Sequence, residues 1–472
     1  MGGVTVIKGV LDAELALTRI NQSLVSFWSG RSVGILTPTI GPHLDSIIEE
    51  LEWSGARVTV IVADRADGQV SDGRAVWCVN EDSEALIPFA FERWLRNPSR
   101  PFKTWLDTVD PSRQLEFVGN GYVDVPHVLG RTVHGWRRPE WTVAEDKTLV
   151  DSMLADCDVR TPSHVVQSIS AGAILVNGCD LDKGSGVVLA YDTSHGAWGG
   201  TQGIKWVPNP KADLEGSLRA ASTMTSSVRV AEFVRGTPCS VIGTVLRDRV
   251  IVFDPIELVT LRDTTEGRLM CCGSVTKWTP GASVVEEVRE AAYRVGSQLS
   301  TEMNFKGMFS LDGLVGDEGF LATEINPRRS GGLGILEAYP SFRERLFSRA
   351  AQDEVDGVFD FDADELETAI RILVRERPSI ELTVPVDLRV LESVGWQKSS
   401  QRGTVEQVVQ DPFALTQSLV SPDCSVQFTG GVEASRIIDL TTTRANHTTG
   451  QLVAEIASAA VGQPGRFIDG TK

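Results

Sequence analysis

The stretch that most constrains this chain is Asp312-Gly313 followed, twelve residues on, by Glu324-Ile325-Asn326-Pro327-Arg328. Met308 to Asp312 and Leu321 to Asn326 each alternate apolar and polar side chains, the mark of half-buried strands. Gly316-Asp317-Glu318-Gly319 between them reads as the turn of a hairpin. Glu324 and Asn326, two apart on a strand, project from one face. Asp312 joins that face only through an odd connection or a bulge, which the glycines permit. Three oxygen donors on one rigid face, with Arg328 just beyond, suit a hard Mg²⁺ ion that bridges phosphate oxygens. The guanidinium can add a bidentate phosphate or carboxylate contact. An ordinary acidic hairpin accounts for two carboxylates, but not for the tight Glu-x-Asn-Pro-Arg run.

At 472 residues the chain exceeds one ordinary core and is expected to form about three domains. A net charge of -18 disfavours nucleic acid or an anionic membrane as a partner. The same charge repels free nucleotide, so a phosphate site must gather metal and local positive charge. No apolar run reaches membrane-spanning length, and the start Met1-Gly2-Gly3-Val4 lacks a basic stretch leading into an apolar one. Seven cysteines without a Cys-x-x-Cys pair fit reduced thiols, so a cytoplasmic protein is expected. Cys271-Cys272 reads as two small apolar residues on a strand, and the histidines show no metal-ligand spacing.

Residues 32–64 read strand, helix, strand: a βαβ opening of a small parallel sheet, without the Gly-x-Gly-x-x-Gly fingerprint of a dinucleotide site. Residues 96–140 read as a loop-heavy connection, and Glu145 as the start of a helix through Leu154. Strands are expected at 186–191, 228–234 and as a pair over 240–253, turning at Arg247-Asp248-Arg249. Helices are expected at 212–221, 282–299, 363–375 and 451–461, with strands near 380–391. Four glycines between Gly196 and Gly203 can fold backbone N–H groups around phosphate oxygens. Ser330 to Leu336 is expected to open a helix whose free N–H groups face an anion.

Taken in order, residues 145–345 resemble the ATP-grasp superfamily, whose last core strands carry an Asp and then Glu-x-Asn as magnesium ligands. The resemblance implies an α/β protein with an α+β ATP-grasp core. It assigns Asp312, Glu324 and Asn326 to the metal, and Lys147, of the Asp146-Lys147 pair, to the nucleotide phosphates. Gly199, Gly200 and Thr201 fall in the mobile phosphate loop. Glu232, Phe233 and Val234 fall on the hinge strand that binds adenine through its backbone. Two positions depart from the pattern. Ala190 and Tyr191 stand where a second phosphate lysine is usual, with Lys183 or Lys205 as substitutes. Ser310 stands where a few relatives carry arginine, leaving compensation to Arg328, Arg329 or Arg262.

Gly135-Trp136-Arg137-Arg138-Pro139-Glu140-Trp141, running into Glu145-Asp146-Lys147, and Pro255 to Arg262 resemble bacterial peptide ligases of the pheganomycin type. That resemblance implies a Rossmann-like pre-ATP-grasp domain over 1–144. An ATP-grasp core follows over 145–350, its small subdomain about 145–235 and its large one about 236–350, and a C-terminal extension over 351–472. It implies ATP with Mg²⁺ (Mn²⁺ as an alternative), amino-acid or short-peptide substrates, a homodimer, and amide-bond formation through an acyl phosphate. Arg328 and Lys147 are the expected catalytic cations. The alternatives are a ligase for a non-peptide acid or amine, an ATP-binding regulatory protein without catalysis, and an NAD-dependent enzyme built on the βαβ unit. Trp136 and Trp141 are expected to pack in the core, while Glu257 and Arg262 divide between a ligand-lining strand and a surface ion pair.

Overall fold

Alternating apolar runs and amphipathic stretches produce two sheets. A computed structural model of the chain describes residues 7–40, 43–66, 73–80, 90–169, 179–193, 203–276, 278, 280–330, 336, 339, 341–355 and 361–377. Beyond these it describes the short stretches 380–384, 396–398, 405–407, 424–428, 432–434, 454, 458 and 467–470. The first part runs α1 (Val10–Trp28), β1 (Ser32–Ile40), α2 (His43–Trp53), β2 (Arg57–Ala66), β3 (Ala75–Cys78), α3 (Ala90–Arg96), α4 (Arg100–Val109), β4 (Glu116–Val118), β5 (His127–Val128) and β6 (Arg131–His134). The strands form one sheet in the order β3-β2-β1-β4-β6-β5, parallel except for the β5–β6 pair. Apolar side chains cover both faces, as a parallel sheet requires: α1 and α2 on one, α3 and α4 on the other. The expected βαβ opening is β1-α2-β2. The stretch expected to be loop-heavy instead supplies α4 and three short strands, too short for periodicity to register.

The second part continues through a 3₁₀ turn (Pro139–Glu145), α5 (Val150–Asp156), β7 (His164–Ser168), β8 (Val187–Tyr191), β9 (Ile204–Val207), α6 (Pro210–Ala221) and β10 (Ser227–Glu232). Next come β11 (Thr237–Val245), β12 (Val250–Val252), β13 (Ile256–Asp263), β14 (Arg268–Val275), α7 (Ala282–Met303), β15 (Gly307–Gly316), β16 (Gly319–Asn326), α8 (Glu344–Gln352) and α9 (Ala363–Glu376). The helix expected from Glu145 begins only at Val150. Asp146 Oδ1 accepts Thr148 N (2.9 Å) in a local turn that delays it. One sheet orders β16-β15-β11-β13-β14-β9-β8-β10-β7. Its back is covered at one end by α7, through Val288, Ala292, Val295 and Leu299, and at the other by α6, through Leu214 and Leu218.

A single apolar core joins α1 and β1 to α8 and α9, so the two sheets are packed together. Asn21 Nδ2 donates to Ser341 O (2.6 Å), and His134 Nδ1 lies 2.7 Å from Asp353 Oδ2. The chain's end returns to the core: Phe467–Asp469 pairs antiparallel with β13. Trp141 is fully buried and donates from Nε1 to Met303 O (3.2 Å), a packing role. The expected helix starts at 330–336 and 451–461 lie largely outside the described residues.

Candidate active site

The β15–β16 turn closes with Gly316 opposite Gly319, and the register runs evenly to Gly313 opposite Ala322. Continued without interruption, it would pair Asp312 with Thr323 and turn Glu324 to the far face. Instead Thr323 bulges, and Asp312 pairs with Glu324 and Ser310 with Asn326. The bulge is what gathers Asp312, Glu324 and Asn326 on one face. It sits beside Gly313 rather than at the turn. A Cβ on Gly313 would stand 2.4 Å from Leu321 O and 2.5 Å from the Phe320 ring, so only glycine fits there.

Hydrogen bonds orient the three side chains. Asp312 accepts from Ser240 Oγ at Oδ1 (2.6 Å) and from Asn326 Nδ2 at Oδ2 (2.9 Å). Burial in the cleft, and then the neighbouring Glu324 carboxylate, raise the Asp312 pKa to about 6. Two acids forced together in a recess are what a divalent cation relieves. Among the described residues no three Asp, Glu, His or Cys side chains converge. The set is two carboxylates and an amide, which suits a cation whose remaining ligands are phosphate oxygens and water. The donors fit Mg²⁺.

Lys147 reaches the same place from the loop ahead of α5: its Nζ lies 2.8 Å from Glu324 Oε1. Arg328, buried, lies with Nε 2.9 Å from Glu145 Oε1, donates from Nη2 to Asn326 Oδ1 (3.0 Å) and from Nη1 to Arg329 O (3.0 Å). Its guanidinium also stacks over Tyr122, 4.6 Å from the ring centre, and Arg137 pairs with the same Glu145. Arg328 thus ties the end of β16 to the N-terminal part of the chain.

These residues border a cavity of about 570 Å³. Its polar end holds Lys147, Asp312, Glu324, Asn326 and Arg328. The rest is lined largely by apolar side chains, among them Val188, Ile204, Ala231, Leu258 and Leu314, together with the Glu232-Phe233-Val234 strand end. Glu232 accepts Ser163 N (3.0 Å) and pairs with Lys183, which with that backbone bond outweighs burial and lowers its pKa. The Arg262 guanidinium lies against both Phe233 and Trp206, 4.7 and 4.6 Å from their ring centres, and the two rings adjoin each other at 5.9 Å. Asp146 takes Thr193 N (3.0 Å) and Oγ1 (2.8 Å) at Oδ2, anchoring the chain where the glycine-rich stretch begins. Gly199, Gly200 and Thr201 lie outside the described residues.

The structure thus brings Lys147, Asp312, Glu324, Asn326, Arg328, Glu232, Phe233 and Val234 around one cavity. Sequence reasoning missed Tyr122, Glu145 and Ser240, which act through contacts distant in sequence. Arg229, read from the sequence only as part of the strand Val228 to Val234, also lines the cavity.

No protein-family model matches the sequence, and no curated protein matches it. Solved structures do. N5-carboxyaminoimidazole synthase from Aspergillus clavatus, solved with ADP and 5-aminoimidazole ribonucleotide, is similar at a TM-score of 0.50 and 15% identity, over 78% of this chain and 87% of that one. The biotin carboxylase domain of the Hydrogenobacter thermophilus 2-oxoglutarate carboxylase, solved with Mg-ADP, ADP and bicarbonate, is similar at a TM-score of 0.50 and 13% identity, over 71% and 72%. The chain has the ATP-grasp fold: an α+β core behind an N-terminal parallel α/β sheet.

Proposed function

We propose that this chain is an ATP-dependent carboxylate–amine ligase that forms an amide or peptide bond through an acyl phosphate. The observation that carries this reading is the cavity's polarity. An apolar slot beside the Glu232–Val234 backbone suits a purine, and it opens onto Lys147 and the Asp312–Glu324–Asn326 face, which suit a triphosphate with its metal. The two solved structures similar in fold, one holding ADP and the other Mg-ADP, support the nucleotide part.

Asp312, Glu324 and Asn326 would hold Mg²⁺, which supplies charge neutralisation across the phosphates. Lys147, released from Glu324, turns to an adjoining phosphate oxygen. A substrate carboxylate oxygen attacks the γ-phosphorus and ADP leaves. An amine then attacks the acyl carbon, phosphate leaves and the amine gives up a proton. Such chemistry needs positioning and charge compensation rather than a protein nucleophile. Arg328 keeps Asn326 oriented and offers its remaining N–H groups to the developing charge. Gly199, Gly200 and Thr201 are assigned to excluding water.

We assign residues 1–144 to a pre-ATP-grasp unit, 145–350 to the core and 351–472 to an extension that returns a strand to β13. The subfamily is that of pheganomycin-type peptide ligases, with an amino acid or short peptide as substrate, in natural-product biosynthesis. Hydroxylamine trapping tests the reading. With ATP, Mg²⁺ and the right acid, a hydroxamate should form along with ADP. ADP release with no hydroxamate from any acid would sink the acyl phosphate.

A further inference from the structure

We propose that Arg229 is a phosphate-binding cation of this nucleotide site, a role that rests on the reading above. Arg229 sits in β10 directly opposite Ala190 of β8, so the two side chains share a face. Both line the cavity. The Arg229 side chain is 5% exposed. An isolated guanidinium is costly to bury, and this one is held by Asp151: Nε donates to Oδ2 (2.5 Å) and Nη2 to Oδ1 (2.8 Å). The pairing fixes the plane of the fork. Among the described residues its Nη1 makes no hydrogen bond, leaving that edge for a ligand in the cavity.

The charge pattern of the cavity points the same way. Its wall carries three cations: Lys147, Arg229 and Arg328. Arg328 is engaged with Glu145, Asn326 and the Arg329 carbonyl, and Lys147 faces Glu324. A polyphosphate in a chain of net charge -18 needs more compensation than one lysine and a metal supply. The lysines considered from the sequence do not provide it. Lys183 pairs with Glu232, its side chain 72% exposed. Lys205 is opposite Leu189, on the face turned away from the one Ile204 and Ala190 present to the cavity. Asp151 follows Lys147 by four residues, so one segment positions both cations: Lys147 directly and Arg229 through its carboxylate partner.

Titration calorimetry with Mg-ATP and with adenosine tests this. The variant is R229Q/D151N, which removes both charges and leaves no unpaired buried carboxylate. Loss of a charge-assisted contact should weaken Mg-ATP about tenfold to a hundredfold while adenosine affinity stays within about twofold. Adding Ala190→Lys to the same variant places an ammonium across the ladder and should recover most of that loss. Unchanged Mg-ATP affinity, a parallel loss for adenosine, or no recovery with Ala190→Lys would each overturn the role of Arg229. If the wild-type chain binds no Mg-ATP, the nucleotide reading falls first and takes this proposal with it.

Discussion

Lys147 Nζ and Glu324 Oε1 lie 2.8 Å apart, so a cation of the chain's own sits where the proposed phosphate and metal would meet. The pair neutralises charge that would otherwise accumulate beside Asp312, and it must open for substrate to enter. Glu324→Gln keeps the shape and a hydrogen-bond acceptor but removes the charge. Mg²⁺ should then no longer tighten ATP binding, and ADP formation should fall at least about a hundredfold, while the melting curve stays close to wild type. Retained, Mg²⁺-sensitive turnover would refute the metal assignment.

The bulge at Thr323 sets Asp312 and Glu324 on one face. Gly313→Ala drives a methyl group into the Leu321 carbonyl and the Phe320 ring. Overpacking of this kind costs about 1–3 kcal/mol. Because the strain falls where the register shifts, Mg²⁺ affinity should drop more than ATP affinity measured without metal. Equal loss of both would place the effect in general stability.

Arg328→Lys retains a charge but not the fork that bridges Glu145, Asn326 and the Arg329 carbonyl over Tyr122. Disrupting a buried pair of this kind should cost roughly 3 kcal/mol in denaturant unfolding. A double-mutant cycle with Glu145→Gln should show clear coupling, and turnover should fall beyond what the stability loss explains. Additive effects would mean that the ion pair contributes nothing.

The interface between the two sheets carries a pH dependence. Burial opposes a charged His134, but Asp353 and Glu116, 2.7 and 3.1 Å away, outweigh it and raise the pKa from 6.5 to about 9. The folded state therefore holds this proton more tightly than the unfolded chain. Its contribution, on the order of 3 kcal/mol, is complete below pH 6.5 and is lost as pH rises through about 9. The melting temperature should fall across that window, and His134→Gln should flatten the fall. An identical slope in the variant would contradict the bridge.

Much of this site was legible because strand periodicity alone sets Glu324 and Asn326 on one face. Asp312 was legible only conditionally, since face membership depends on a register shift beside Gly313 that appears only in three dimensions. Arg229 was hidden for a related reason: alternation marks its face, but not that Ala190 lies across from it. Tyr122 and Glu145 act on Arg328 through packing between distant segments, which no local pattern encodes. The short strands β4 to β6 went unread because two to four residues cannot establish a period.

The most direct test of the account is substrate-dependent ADP release, measured with ATP and Mg²⁺ across pairs of amino acids and short peptides, with product masses determined in the same reactions. A carboxylate–amine ligase gives release that requires both a carboxylate and an amine, and a product lighter than their sum by one water. Release that ignores the amine, or a pair that drives ADP formation without a condensed product, would contradict it.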